Sequence, residues 1–217
     1  MNFEQARFNM IEQQIRPWDV LDTQVLQLLA TVKREDFVPA AHRALAFVDM
    51  EIPLGHGQFM LAPRVEARLL QDLAVKKHEK VLEIGTGSGY FAALLGHRAQ
   101  SVLSLEIVPE LARMAEANLA RSGAHNVQVR TADGASNLEA DGQFDVIVLS
   151  GSVAQVPDSL LAQLKLGGRL AAIVGQEPVM QATFITRTAE GHCTTRTPWD
   201  TSAPRLQNFP ERAAFSF

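Results

Sequence analysis

One cysteine, Cys193, in 217 residues leaves no partner for an intramolecular disulfide and no thiolate set for zinc. The six histidines, His42, His56, His78, His97, His125 and His192, are scattered without ligand spacing, so no metal is expected. No apolar run approaches the roughly 20 residues of a membrane span. The stretch Met1 to Arg7 has no apolar core of the kind a signal peptide carries, so a cytoplasmic chain with no membrane partner is expected. Positive charge is not in excess: 20 Lys and Arg stand against 24 Asp and Glu, net −4, with no basic run, which argues against a duplex nucleic acid partner. Neither repeats nor low-complexity tracts are visible.

What is present suits a soluble α/β protein. With 47% hydrophobic and 20% charged residues the chain can bury a core, and its length suits one domain over 1–217. Three parts are expected: a helical segment with an active-site loop over 1–79, a cofactor-binding β/α core over 80–175, and strands with a tail over 176–217. Phe3, Phe8, Ile11 and Ile15 fall near helical spacing up to Pro17, and Asp22 is placed to cap a second helix. From Lys80 the pattern alternates: strands over 80–84, 101–105, 127–131, 144–149 and 169–174, helices over 89–97, 109–121 and 157–164, with Gly167-Gly168 as a helix stop. Such alternation predicts a doubly wound, mostly parallel sheet of seven strands with a ligand at the C-terminal strand ends. Met180 to Arg187 and His192 to Trp199 read as an antiparallel pair, and Pro198, Pro204 and Pro210 make the tail an extended cover.

The most informative segment is Val81 to Tyr90. An apolar strand with Glu83 near its end runs into Gly85-Thr86-Gly87-Ser88-Gly89, a turn where main chain can lie against a ligand. In a dinucleotide fingerprint the third glycine falls three residues after the second; here that position is Tyr90, and a nicotinamide oxidoreductase ranks far behind. Glu83 with three alternate glycines resembles the Glu/Asp-x-Gly-x-Gly-x-Gly motif of S-adenosylmethionine-dependent methyltransferases. Glu106 follows Gly85 by 21 residues, at the end of a neighbouring strand, where an acid can accept bonds from ribose hydroxyls. Asp133-Gly134 reads either as an ordinary turn or as the place beside the adenine.

More of the chain carries a closer likeness. Met10 to Ile15, Arg34 to Pro39, Ile52 to Gln58, Val81 to Tyr90, Pro109 to Ala112 and Leu164 to Leu170 together resemble the protein-L-isoaspartate O-methyltransferases, which methylate the abnormal carboxylate of rearranged aspartyl and asparaginyl peptides. The resemblance implies S-adenosylmethionine as methyl donor and a peptide or small-molecule methyl acceptor. It implies that Gly55 to Gln58 cover the donor, with His56 or Gln58 near it. Thr86, Ser88, Gly89 and Ile107 join Glu83, Gly85, Gly87, Glu106, Asp133 and Gly134 as donor contacts.

One departure bears on chemistry. After Gln58 the family continues with Thr, an apolar residue, Ser, a variable residue and Pro, whereas this chain has Phe59, Met60, Leu61, Ala62 and Pro63, so the family's active-site serine aligns with Leu61. A carboxylate is already ionised near pH 7 and the sulfonium methyl already activated, leaving alignment as the protein's main task. Losing one hydrogen bond to a charged group removes about 1.5 to 3 kcal/mol, roughly a ten- to hundredfold rate effect. Ser150 or Ser152, after the strand 144–149, is a candidate replacement against the plain reading of loop serines, and Trp199 and Asp200 are candidates to close over the acceptor. Three readings stand: a methyltransferase with an altered acceptor, a repair enzyme working without the serine, and a non-catalytic cofactor-binding or interaction protein.

Overall fold

The computed structural model describes residues 2–136 and 142–211. Helix α1 (Phe3–Met10) is capped by Asn2, whose side chain accepts from the Gln5 N–H, and continues through one π turn (Ile11–Ile15) and a 3-10 turn (Arg16–Trp18) that carries Pro17. Met10, Ile11 and Ile15 are buried, but Phe8, expected on the same face, is 58% exposed. At about 100° per residue Arg7 falls nearer the centre of that face than Phe8 does, and Arg7 is buried there in an ion pair with Glu35. Helix α2 (Thr23–Thr31) starts where expected: Asp22 accepts from Gln24 N at 2.8 Å and Val25 N at 3.4 Å.

Between residues 50 and 75 the expected loop is a hairpin, and a third helix follows it. A hairpin pairs β1 (Ile52–Gly55) with β2 (Gln58–Met60) around His56 and Gly57, whose φ of 55° and 69° suit a primed hairpin turn. Helix α3 (Pro63–Leu73) follows, opening on Pro63 and burying Val65, Leu69, Leu70 and Leu73.

The β/α core then runs β3 (Lys80–Ile84), α4 (Tyr90–Arg98), β4 (Ser101–Glu106), α5 (Pro109–Ser122), β5 (Val127–Thr131), β6 (Phe144–Val153), α6 (Asp158–Ala162), β7 (Leu164–Gln176), β8 (Val179–Ala189) and β9 (His192–Thr201). The sheet has seven strands in the order β5-β4-β3-β6-β7-β8-β9. The first five are parallel, while β8 and β9 continue one edge antiparallel. The doubly wound, mostly parallel sheet with an antiparallel C-terminal pair is therefore as expected. Buried strands β3 and β6 read as nearly continuous apolar runs because both their faces are covered.

Two boundaries differ. Helix α6 is one short turn, and Gly167-Gly168 do not stop it; they lie inside β7, where its pairing with β6 shifts register between Phe144 and Val146. Gly167 has φ +77°, and a Cβ on Gly168 would stand 2.8 Å from the Lys165 carbonyl oxygen, so the pair makes a bulge that side chains would block. Ser150 to Ser152 are likewise part of β6 rather than a loop. The chain winds outward from β3 to β5 and returns to β6, so its reversal point lies between β3 and β6, with a crevice beyond their C-terminal ends. Among the described residues no helix is long and apolar enough to cross a membrane.

Candidate functional site

Leaving β3, the chain turns on Gly85 (φ 95°), Gly87 (φ 53°) and Gly89 (φ 84°). The Gly85 and Thr86 N–H groups both donate to the Leu105 carbonyl, at 2.9 and 3.2 Å, which fastens the turn to β4. A Cβ on Gly89 would lie 3.2 to 3.3 Å from Ala115, so this third glycine lets α4 start hard against α5. One on Gly87 would meet Leu54 at 3.1 Å, because the β1–β2 hairpin lies over the turn.

Around the turn is a cavity lined by Gln58, Phe59, Ile84, Gly85, Gly87, Leu105, Glu106, Ile107, Ala132, Asp133, Gly134 and Ser150, and roofed by Pro204 to Gln207 and Phe209. Glu106, almost fully buried, accepts from Gly87 N at 2.8 Å and Val108 N at 3.0 Å, so its carboxylate also shapes the turn. Asp133 accepts from Ala135 N at 2.9 Å and from the Asn208 amide at 2.8 Å. Asp133-Gly134 is thus a turn of the chain that also lines the cavity.

Several expected contacts stand elsewhere. Glu83 is behind the cavity, fully buried, accepting from Ser104 Oγ at 2.6 Å and Ser150 Oγ at 2.8 Å. Burial pushes its carboxyl up to about 8, outweighing the two serine hydroxyls that lower it. Thr86 shares a 2.6 Å bond with Ser104, and Ser88 Oγ accepts from Tyr90 N at 3.4 Å. Thr86, Ser88 and Gly89 therefore build the turn without lining the cavity. His56 sits exposed at the hairpin tip, away from the lining, while Gln58 reaches it.

The hairpin orients its residues by strand alternation and by one buried cation. Arg34, fully buried, bonds Ala46 O at 3.0 Å, Leu61 O at 2.6 Å and the Glu66 carboxylate, and lies 5.0 Å over the Tyr90 ring. With its carbonyl held there, Leu61 is a core residue, 4% exposed, and is not part of the cavity wall. Phe59 is the residue that faces outward.

Trp199 and Asp200 are not among the residues that line this cavity. The Trp199 indole N–H donates to Asp72 Oδ2 at 2.8 Å, with Arg68 5.0 Å over the ring, and Asp200 accepts from Gln181. Sequence reasoning missed the specific part of the tail that does the covering. Ser152 N donates to Pro204 O at 2.7 Å and Leu206 N to Ser152 O at 2.9 Å, so the strap after β9 docks on the end of β6. The only hint was a proline-rich, non-periodic composition.

Comparison with known proteins decides the family. The model of "Protein-L-isoaspartate(D-aspartate) O-methyltransferase (PCMT)" matches residues 5–201. This chain belongs to that family. A protein-L-isoaspartate O-methyltransferase of Koribacter versatilis is 39% identical over 189 residues, 87% of this chain and 85% of the relative. One of Gloeobacter violaceus is 39% identical over 183 residues, 84% and 89% respectively. In fold, a Plasmodium falciparum protein assigned to the family and crystallised with S-adenosyl-L-homocysteine superposes with a TM-score of 0.77 at 20% identity, covering 95% of this chain and 99% of its own. Position 61, which the resemblance aligns with an active-site serine, holds a leucine turned into the core.

Proposed function

We propose that this protein is an S-adenosylmethionine-dependent O-methyltransferase that methylates a carboxylate, with an acceptor setting different from that of its isoaspartyl-repairing relatives. The observation that carries the reading is the bare-backbone turn at the sheet's reversal point, with Glu106 and Asp133 on the same cavity wall. That chemistry fits the group. Acids on one wall favour a ligand bearing sulfonium and ammonium charge, and glycines admit it against the main chain. Glu106 would hold the ribose hydroxyls, Asp133 with Ile107, Leu105 and Ala132 the base, and Gly85 and Gly87 the amino-acid end. When bound, S-adenosylmethionine supplies a methyl group already activated on sulfur.

The chain's own residues then have to bind, orient and exclude water. An acceptor carboxylate needs no base at neutral pH. Leu61 presents no hydroxyl, so the hydroxyl on the cavity wall is that of Ser150, near the end of β6. Its proton is directed at Glu83; with Glu83 protonated, that carboxyl can donate to Ser150 Oγ and release the Ser150 proton toward the acceptor.

Space is the constraint. With the strap down, the open cavity is about 50 Å³, against the several hundred Å³ typical of small-molecule sites. Leu206 fills the middle, 3.0 Å from where a Gly85 Cβ would be. Donor binding therefore requires the Leu206 side chain to move aside, and with it the stretch of strap that its N–H ties to Ser152 O. This narrowness is also what favours the second reading, a chain that keeps the fold without turnover.

Calorimetry with S-adenosylmethionine and S-adenosylhomocysteine tests the donor site, and transfer of labelled methyl groups to an isoaspartyl peptide and to cell extract tests the acceptor. Micromolar binding with label in extract proteins and little in the standard isoaspartyl peptide is the expected result. Binding without any transfer leaves the non-catalytic reading, and no binding ends the proposal. Unchanged turnover in a Ser150→Ala, Ser152→Ala double variant would remove both serines from the mechanism.

A further inference from the structure

A second cavity, of about 380 Å³, lies beyond the first and shares Phe59, Pro204 and Arg205 with it. Strand β6 connects the two, with Ser150 on the wall of the first and Ser152 on the wall of the second. A molecule in the second cavity thus sits across Phe59 from the first. Its lining has a distinct charge. Glu51, just before the hairpin, and Glu177, in the turn between β7 and β8, both face it, and among the described residues neither has a hydrogen-bond or ion-pair partner. Arg205 is the one cation there, and its charge is already met by Glu211 at 3.2 Å, with a further bond to Gly175 O at 2.9 Å.

Two polar atoms have no partner. Ser152 is fully buried and its hydroxyl oxygen is unpaired, although it lines the cavity; Arg205 Nη1 is also buried and unpaired. Buried polar atoms are seldom left so, and unpaired ones on a cavity wall point to a ligand or water that completes them. Burial, and then the neighbouring Glu177, raise the Glu51 carboxyl above its ordinary value.

We infer that this second cavity receives the methyl acceptor and selects one that carries a positively charged ammonium or guanidinium group beside the carboxylate to be methylated. Glu51 and Glu177 would take the cation, with the Phe59 ring as an apolar and cation-accepting wall. Ser152 Oγ would complete its bonding on the acceptor. The cation also offsets the repulsion that a bare carboxylate would meet on entering a cavity with two unpaired acids. The inference rests on the proposed function, because it takes the first cavity as the donor site.

The test is binding rather than turnover. The full chain, saturated with S-adenosylhomocysteine, is titrated at low salt into two fluorescent isoaspartyl hexapeptides that differ only in Lys or Glu beside the isoaspartyl residue. The Lys peptide is expected to bind about tenfold tighter, a contrast of the size that two partly screened charges provide. Added salt should shrink the difference. A Glu51→Gln, Glu177→Gln variant, checked for unchanged melting, should reduce it below about twofold, as loss of the attracting charge requires. Equal affinity, tighter binding of the Glu peptide, no binding of either, or a preference that survives the double variant each overturn the inference. A Lys preference without label transfer would overturn the catalytic proposal and the cavity's assignment to a methyl acceptor, leaving only its selection of a cation. Should S-adenosylhomocysteine not bind, the same titration on the chain alone still reads the cavity.

Discussion

Glu83 offers the sharpest test of how the buried centre is built. Its carboxyl is pushed from an ordinary 4.5 to about 8 because burial outweighs the bonds from Ser104 and Ser150. The folded state thus binds the proton more tightly than the unfolded chain does. Stability from this group is full below pH 4.5, declines as pH rises toward 8, and is lost above it. At about 1.4 kcal/mol per pH unit, the gap sets an upper bound of about 5 kcal/mol. Glu83→Gln keeps the shape and the capacity to donate and accept, but removes the titration. Urea unfolding of both proteins at pH 5, 7 and 9 should give similar midpoints at pH 5. At pH 9 the variant should be more stable by about 3 to 5 kcal/mol, or about 1 to 2 M urea at the slopes usual for such proteins. Other acids titrate in both proteins and cancel in the comparison. A constant difference between the two across this range would refute the account, since Glu83 would then carry the same charge folded and unfolded.

Three further outcomes are expected. Leu61→Ser supplies the hydroxyl that the resemblance implies there, yet in this structure it buries that hydroxyl in the core; it should cost about 2 to 4 kcal/mol in chemical unfolding and confer no new transfer to isoaspartyl peptides. Arg34→Met strands Glu66 and frees the Leu61 carbonyl, with an expected loss of about 3 to 5 kcal/mol, and Arg34→Met with Glu66→Leu should lose less than Arg34→Met alone. Asn208→Ala removes the strap's bond to Asp133; one such bond contributes about 0.5 to 1.5 kcal/mol, so stopped-flow association of S-adenosylhomocysteine should quicken about two- to tenfold.

The parallel centre of the fold was readable because strands covered on both faces must be apolar throughout, as Val81 to Ile84 and Val146 to Leu149 are. The glycine turn was readable because three alternate glycines have few other uses. The hairpin was hidden by Pro53, a residue usually excluded from strands and tolerated here in a two-stranded ribbon. Gly167-Gly168 mimicked a helix stop because a bulge and a cap both need freedom from a Cβ. For the site, spacing found the cavity wall at Gly85, Gly87, Glu106 and Asp133. It did not reveal that Thr86, Ser88 and Glu83 face inward, nor that the strap roofs the crevice. Those placements follow from contacts across long stretches of chain: Ser104 against Thr86 and Glu83, and Ser152 against Pro204 and Leu206.

Alternation along β2 places Phe59 as a partition between two compartments, 42% exposed, while Met60 and Leu61 are locked inside. Redesign of acceptor choice therefore has one permissive entry point. Exchanging residue 59 remodels both chambers simultaneously at little risk to folding, whereas diversity introduced two positions later is spent on repairing the interior.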